Sequence, residues 1–145
     1  TPGVPSVGST SSSVSSSDQQ RMLGLVNGLR ADLGLAPLKL CDDAVLIAQI
    51  RAEECAEYYS HTRPNGSAFY TIYQEMGISY SLVGENIGRG TLLGADPVST
   101  FFNLWKNSTA HYENMVSERI EYFGYGCYQV GGETYVAQAF IDYMN

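Results

Sequence analysis

Apolar residues recur along this chain first with a helical period and then with an alternating one. Met22, Val26, Leu29 and Leu33 follow at spacings of four, three and four, which places them on one face of a helix. Ser17 with Gln20 resembles a capping box that opens it, and Gly34 and Pro37 stop it. A second helix is predicted from Cys41–Asp43 to about Tyr59, with Ala44, Ala48, Ala52 and Cys55 inward and Glu53, Glu54 and Glu57 facing water. Its small alanines imply close packing against a neighbour. Ser67 to Met76 carries Phe69, Ile72, Tyr73 and Met76 at helical spacing, with Gly77 as a C-terminal cap. In "ADPVSTFFNLW", Asp96 is the N-cap, Pro97 the first helical residue, and Val98, Phe101, Phe102 and Trp105 the buried stripe. The tail then changes period. "YFGYGCYQV" and "ETYVAQAFI" read as two strands joined by a hairpin turn at Gly131-Gly132. Helices flanking a short antiparallel sheet make an α+β sandwich, and no internal repeat is visible.

With 145 residues, 44% of them hydrophobic, the chain fits one globular domain. Its first 17 residues stand apart. "TPGVPSVGSTSSSVSSS" cannot bury enough apolar surface to offset its ordering entropy, so residues 1–17 read as a flexible stalk or linker and residues 18–145 as the folded domain. Such stalks commonly tether exported domains, which makes an extracellular location the expectation; a disordered intracellular tail is the alternative. The net charge of −7 and eight scattered basic residues argue against a nucleic-acid partner. No apolar run approaches the roughly 20 residues that span a bilayer. A monomer is expected.

Three cysteines leave an odd thiol. Cys41 and Cys55 at opposite ends of one helix would be about 20 Å apart, too far for a bridge. Cys127 could reach either, or all three are buried or free thiols.

Three short stretches carry the candidate chemistry: "SHTRPNG" (60–66), "VGENI" (83–87) and "AHYENMV" (110–116). In this order, with "VNGLRADLGLAPL" (26–38) and the closing "YGCYQV…YVAQAF" hairpin, they resemble the CAP superfamily of cysteine-rich secretory proteins, insect venom antigens and plant pathogenesis-related proteins. The resemblance runs from about Met22 to Ile141. Arg63-Pro64-Asn65-Gly66 and the set Trp105, Asn107, Ser108, His111, Asn114 are similar to the bacterial, extracellular SCP-like branch.

The resemblance implies a three-layer α-β-α sandwich with a surface cleft. In many members two histidines and two glutamates line that cleft and can hold a divalent metal. Carried over, His61 is the first histidine, Glu85 the first glutamate and His111 the second histidine. The place of the second glutamate, three past Trp105, is Ser108, and Glu113 is the nearest spare carboxylate. Two imidazoles and one carboxylate would satisfy a catalytic zinc site with one open position. No H-E-x-x-H pair pre-aligns them, so the intervals of 24 and 26 residues must be closed by the fold. His61 and His111 are expected to face each other with Glu85 hydrogen-bonded to one. The plainer alternative is that they only orient loops. Without metal, imidazoles beside a carboxylate would respond to pH at roughly 6–7.

Other residues carry weaker signals. Ser60 and Ser108 neighbour histidines but lie in no G-x-S-x-G elbow. Cys55, six residues before His61, is a dyad candidate or a core thiol, the latter preferred. Asn86, Asn114 and Gln138 are expected to tie loops. Tyr70, Tyr73, Tyr80, Phe101 and Phe102 line a lipid or peptide groove or, at their spacing, the core. Asn65-Gly66-Ser67 and Asn107-Ser108-Thr109 match the glycosylation acceptor pattern, relevant only in a eukaryotic secretory host. Arg63 and Arg89 complement an acidic cleft or are solvated surface arginines. The leading functional expectation is a binding module for a small ligand, lipid or peptide. Next comes a metal-dependent hydrolase with zinc on His61 and His111 and Glu85 as ligand or general base. A purely structural surface domain is third.

Overall fold

The structure, a computed structural model, describes residues 14–145. Most of the stalk expected at the N-terminus lies outside the described residues. Helix α1 spans Ser16–Asp32, and Ser15 caps it by accepting from the Asp18 N–H. The helix therefore starts earlier than a capping box at Ser17 predicts. Its buried face is also rotated, running through Gln19, Met22, Val26 and Arg30, while Leu33 is exposed. Two polar residues lie in that face because each satisfies buried backbone groups. Arg30 donates to the carbonyls of Ala36, Met115 and Ser117, and Gln19 pairs with Tyr125.

Helix α2 spans Asp42–Glu57, with Cys41 at its N-cap, and buries Ala44, Ile47, Ala48, Arg51, Ala52 and Cys55. Helix α3 is confined to Thr71–Glu75, shorter than its apolar spacing predicts. The preceding residues close the "RPNG" turn instead: Ser67 accepts from the Arg63 N–H, and Thr62 bridges Ala68. Helix α4, Pro97–Lys106, has the expected Asp96 cap and buried stripe. Helix α5, Thr109–Met115, follows directly.

Four strands form one sheet in the order β1-β3-β4-β2: β1 Lys39–Leu40, β2 Tyr80–Gly90, β3 Tyr122–Val130 and β4 Glu133–Tyr143. Only β1 runs parallel to its neighbour. The hairpin β3–β4 turns at Gly131 and Gly132, both at positive φ as a two-residue primed turn requires. Strand β2 adds an edge that the sequence pattern does not announce. Glycines at 84, 88 and 90 and the polar Glu85, Asn86 and Arg89 break its alternation.

Helices α2 and α3 cover one face of the sheet; α1, α4 and α5 cover the other. This is the three-layer α+β sandwich. The alanines of α2 meet β3 with no side chain between them. An added Cβ at Gly124 or Gly126 would fall 2.2 to 2.4 Å from backbone atoms of Ala44 and Ala48. Beyond the two-residue β1, the free edge of β3 is sealed by side-chain amides. Gln19 gives to and takes from the Tyr125 backbone, and Gln49 does the same for Cys127 at 3.0 and 3.1 Å. Cys41, Cys55 and Cys127 are all free thiols, the second of the two alternatives above. Among the described residues no helix is long and apolar enough to cross a membrane.

Candidate functional site

Strand β2 presents alternate residues to the two faces of the sheet, and the site straddles it. Glu85 points to the α2 side, where Arg51 meets it through Nε (2.7 Å to Oε1) and Nη2 (3.1 Å to Oε2). Arg51 is 1% exposed and Glu85 8%. A charge that deep is tolerated only when paired, and here the pairing is bidentate. The same guanidinium donates to Glu54 (2.8 Å) and to the Ser60 carbonyl (2.6 Å). Burial works against the Arg51 charge, but hydrogen bonds and attraction from Glu85, then Glu54, outweigh it and hold its pKa above the usual arginine value.

The Ser60 contact fixes the chain just before His61. His61 Nδ1 lies 2.9 Å from Glu85 Oε2. A carboxylate can only accept, so Nδ1 carries a proton, and in the neutral ring Nε2 is left as the acceptor. The His61 side chain is 55% exposed over a carboxylate that is 4% exposed. The Phe69 ring stands edge-on to the imidazole at 6.2 Å. A second ion group buttresses the loop. Arg63, 7% exposed, holds both oxygens of Glu54 and also reaches Glu75 and Thr71. Arg63 thus complements acidic side chains and is no solvated arginine, and Glu54 is half-buried, with two guanidiniums converging on it. Burial would raise the Glu54 pKa, but the bonds from Arg63 and Arg51 hold it below the ordinary carboxylate value. Arg89 is exposed and stacks on Tyr59, 4.6 Å from the ring centre.

On the opposite face, Asn86 is fully buried and donates to the His111 carbonyl (3.0 Å) and to Gln138 Oε1 (2.9 Å). Asn114 donates to Asn86 Oδ1 (2.8 Å) and to the Glu85 carbonyl (3.2 Å). These three amides tie α5 and β4 to β2, linking regular elements where loops were expected. His111 Nδ1 lies 2.8 Å from Ser108 Oγ. Burial lowers the His111 pKa, and repulsion from His61 lowers it further. His61 thus lies on the α2 side of the sheet edge and His111 on the α5 side, and Glu85 is bonded to His61.

Of the nucleophile candidates, Ser60 Oγ accepts from the Thr62 N–H, Ser108 Oγ lies against His111 Nδ1, and burial pushes the Cys55 thiol up to about 11. Of the aromatics, Tyr73, Phe101 and Phe102 are core and Tyr70 is exposed. The metal ligand set fits poorly. Among the described residues, no three His, Cys, Asp or Glu side chains are arranged to hold a metal. Both Glu85 oxygens are engaged by Arg51 and His61, and Glu113 is exposed on α5. Arg51 is the residue that motif reasoning missed. The signal was its place in the inward stripe of α2, between Ala48 and Ala52, where an unpaired charge cannot stay.

Comparison with known proteins agrees with this architecture. The model of the cysteine-rich secretory protein family (CAP) matches residues 23–141. YkwD of Bacillus subtilis strain 168, described as uncharacterised, is 27% identical over 115 residues, or 78% of this chain and 43% of YkwD. An extracellular SCP-domain protein of Bacillus anthracis superposes with a TM-score of 0.73 at 23% identity, over 87% of this chain and 40% of that one. An outer surface protein of Borrelia burgdorferi gives 0.77 at 19% identity, over 89% of this chain and 95% of the other. The chain therefore spans less than half the length of the two Bacillus proteins. At these identities the solved structures speak for the fold, while the family model covers most of the chain. The chain belongs to the cysteine-rich secretory protein (CAP) family.

Proposed function

We propose that this chain is the binding module of a protein that works outside the cell, and that a small ligand, lipid or peptide is held at His61, Glu85 and His111. The observation that carries the reading is the exposed His61 imidazole fixed by a buried carboxylate. Such a ring is oriented and ready to accept a hydrogen bond, which suits recognition. The extracellular placement is supported by the extracellular and outer-surface character of the Bacillus anthracis and Borrelia relatives. The metal-dependent hydrolase reading ranks second, because Glu85 would have to leave Arg51 to serve as ligand or base. Titration of isotope-labelled protein with oleate, a sterol and a pool of short peptides, followed by NMR, tests the proposal. Shifts centred on His61 and His111 that vanish in His61→Ala and His111→Ala are expected. Binding that both substitutions leave intact would move the site elsewhere.

A further inference from the structure

On the α2 face of the sheet a row of side chains crosses from β2 to β3. Arg89 of β2 is opposite Tyr135 of β4, and Tyr135 is opposite Tyr128 of β3. Directly opposed residues share a face, with Cβ atoms roughly 4.5–5.5 Å apart. Helix α2 ends at Glu57, and α3 packs with Ala139 and Ile141 toward the other end of β4. Just past α2, Tyr59 joins the row, with the Arg89 guanidinium carbon 4.6 Å from the centre of its ring. Tyr59, Tyr128 and Tyr135 rest on the small core group around Cys55 and Ile87 and remain partly exposed.

Two features mark this row as a recognition surface. Arg89 is exposed and enters none of the ion pairs among the described residues. Glu133, two residues before Tyr135 on β4, accepts from Thr91 instead. A guanidinium seated on a ring is positioned without spending its N–H donors. In addition, none of the three tyrosines is paired with another aromatic ring among the described residues. A peptide strand adding to the edge of β2 is disfavoured, because the Glu85 and Ile87 carbonyls already accept from Asn114 and Trp105. A partner must therefore be read by side chains.

We propose that Tyr59, Arg89, Tyr135 and Tyr128 form a binding surface for an acidic glycan in which carboxylate-bearing sugars alternate with neutral ones. Apolar rings with polar tips suit a pyranose: its C–H face stacks on a tyrosine, its hydroxyls meet the phenols, and a carboxylate takes the fork of Arg89. One cation among three rings matches sparse charge. A densely anionic polymer would be repelled by a chain of net charge −7 that offers it a single arginine here. The surface lies on the Glu85 side of the sheet, four residues further along β2 and so about 13 Å away. It stands whether or not a ligand occupies His61.

The test is NMR titration of the full chain, labelled on tyrosine and arginine, with a hyaluronan tetrasaccharide, in which glucuronate alternates with N-acetylglucosamine. Saturable binding is expected below roughly 10 mM, with shifts centred on Arg89, Tyr128 and Tyr135. The neutral N-acetylglucosamine tetramer should bind on the order of tenfold more weakly, and Arg89→Gln should weaken the acidic glycan by a similar factor. Arg89 is exposed, so the fold should tolerate that change. Tyr135→Leu, which keeps apolar packing and removes the aromatic face, should also weaken binding, whereas His61→Ala should not. Four results would each overturn the proposal: no binding in that range, equal binding of the acidic and neutral tetramers, an affinity untouched by Arg89→Gln, or a tetraglutamate peptide bound as tightly as the glycan. Loss of binding in His61→Ala with none in Arg89→Gln would overturn it too.

Discussion

Substituting Gly124 by alanine tests how the middle layer positions the site. The new Cβ would sit 2.2 Å from the Ala44 carbonyl carbon, 2.3 Å from the Val45 nitrogen and 2.4 Å from the Ala44 oxygen. All three are backbone atoms, so no rotamer change relieves the clash. Carbon atoms pack at roughly 3.5–4.0 Å, so α2 must retreat by roughly 1.3 Å or more. Overpacking a rigid core costs about 1–3 kcal/mol. A whole helix must move here, which puts the expectation near the top of that range, about 3 kcal/mol, or a fall in Tm of about 10 °C. The same retreat would draw Arg51 away from Glu85, so the His61 resonances should change although residue 124 does not touch His61. Gly28→Ala is the internal control. It lies on the exposed side of α1 with nothing within 4 Å of its added Cβ. There the same chemical change should stabilise by about 0.5–1 kcal/mol. Thermal melts and urea titrations read both. A Gly124→Ala protein within about 1 kcal/mol of wild type would refute backbone contact between α2 and β3.

Arg63→Ala should destabilise by about 1.5–3 kcal/mol in urea titration, because it removes the bonds to both Glu54 oxygens and leaves that carboxylate to Arg51 alone. The His111 pKa is depressed in the folded state by burial and by His61. The unfolded chain therefore binds the extra proton first, and stability should fall as pH drops from about 7.5 through the unfolded histidine value near 6.5 toward the lower folded value. Urea titrations across that window should show the slope, and His111→Gln should flatten it. Gln49→Ala leaves the Cys127 N–H and carbonyl without their side-chain partner at a sheet edge. A loss of about 1–3 kcal/mol is expected, with concentration-dependent association visible by light scattering.

How much was legible in the sequence followed how local each signal was. Helix α4 and the β3–β4 hairpin are dictated by neighbours in sequence: an Asp-Pro start, an aromatic stripe, two glycines at a turn. Both stand as expected. The alanine face of α2 was readable too, but its partner, the glycines of β3, was not. Where polar residues are buried, periodicity misled. The buried face of α1 turns toward Gln19 and Arg30 because those side chains satisfy distant backbone groups. Glu54 read as water-facing and Arg63 as either a cleft or a solvated arginine, yet they neutralise one another across a loop. Strand β2 escaped because an edge strand that carries the site's Glu85 and Asn86 cannot keep a simple alternation. The histidines and Glu85 were visible from motif resemblance, whereas Arg51 belongs to no motif quoted for that resemblance and becomes significant only when Glu85 is placed opposite it.

The central claim is that one buried carboxylate is shared between the Arg51 guanidinium and the His61 ring. Long-range proton–nitrogen NMR of the His61 imidazole above neutral pH tests it most directly. The account predicts a proton on Nδ1 and a bare Nε2, with the preference lost in Glu85→Gln. A proton on Nε2 in wild type, or a tautomer unaffected by Glu85→Gln, would contradict it.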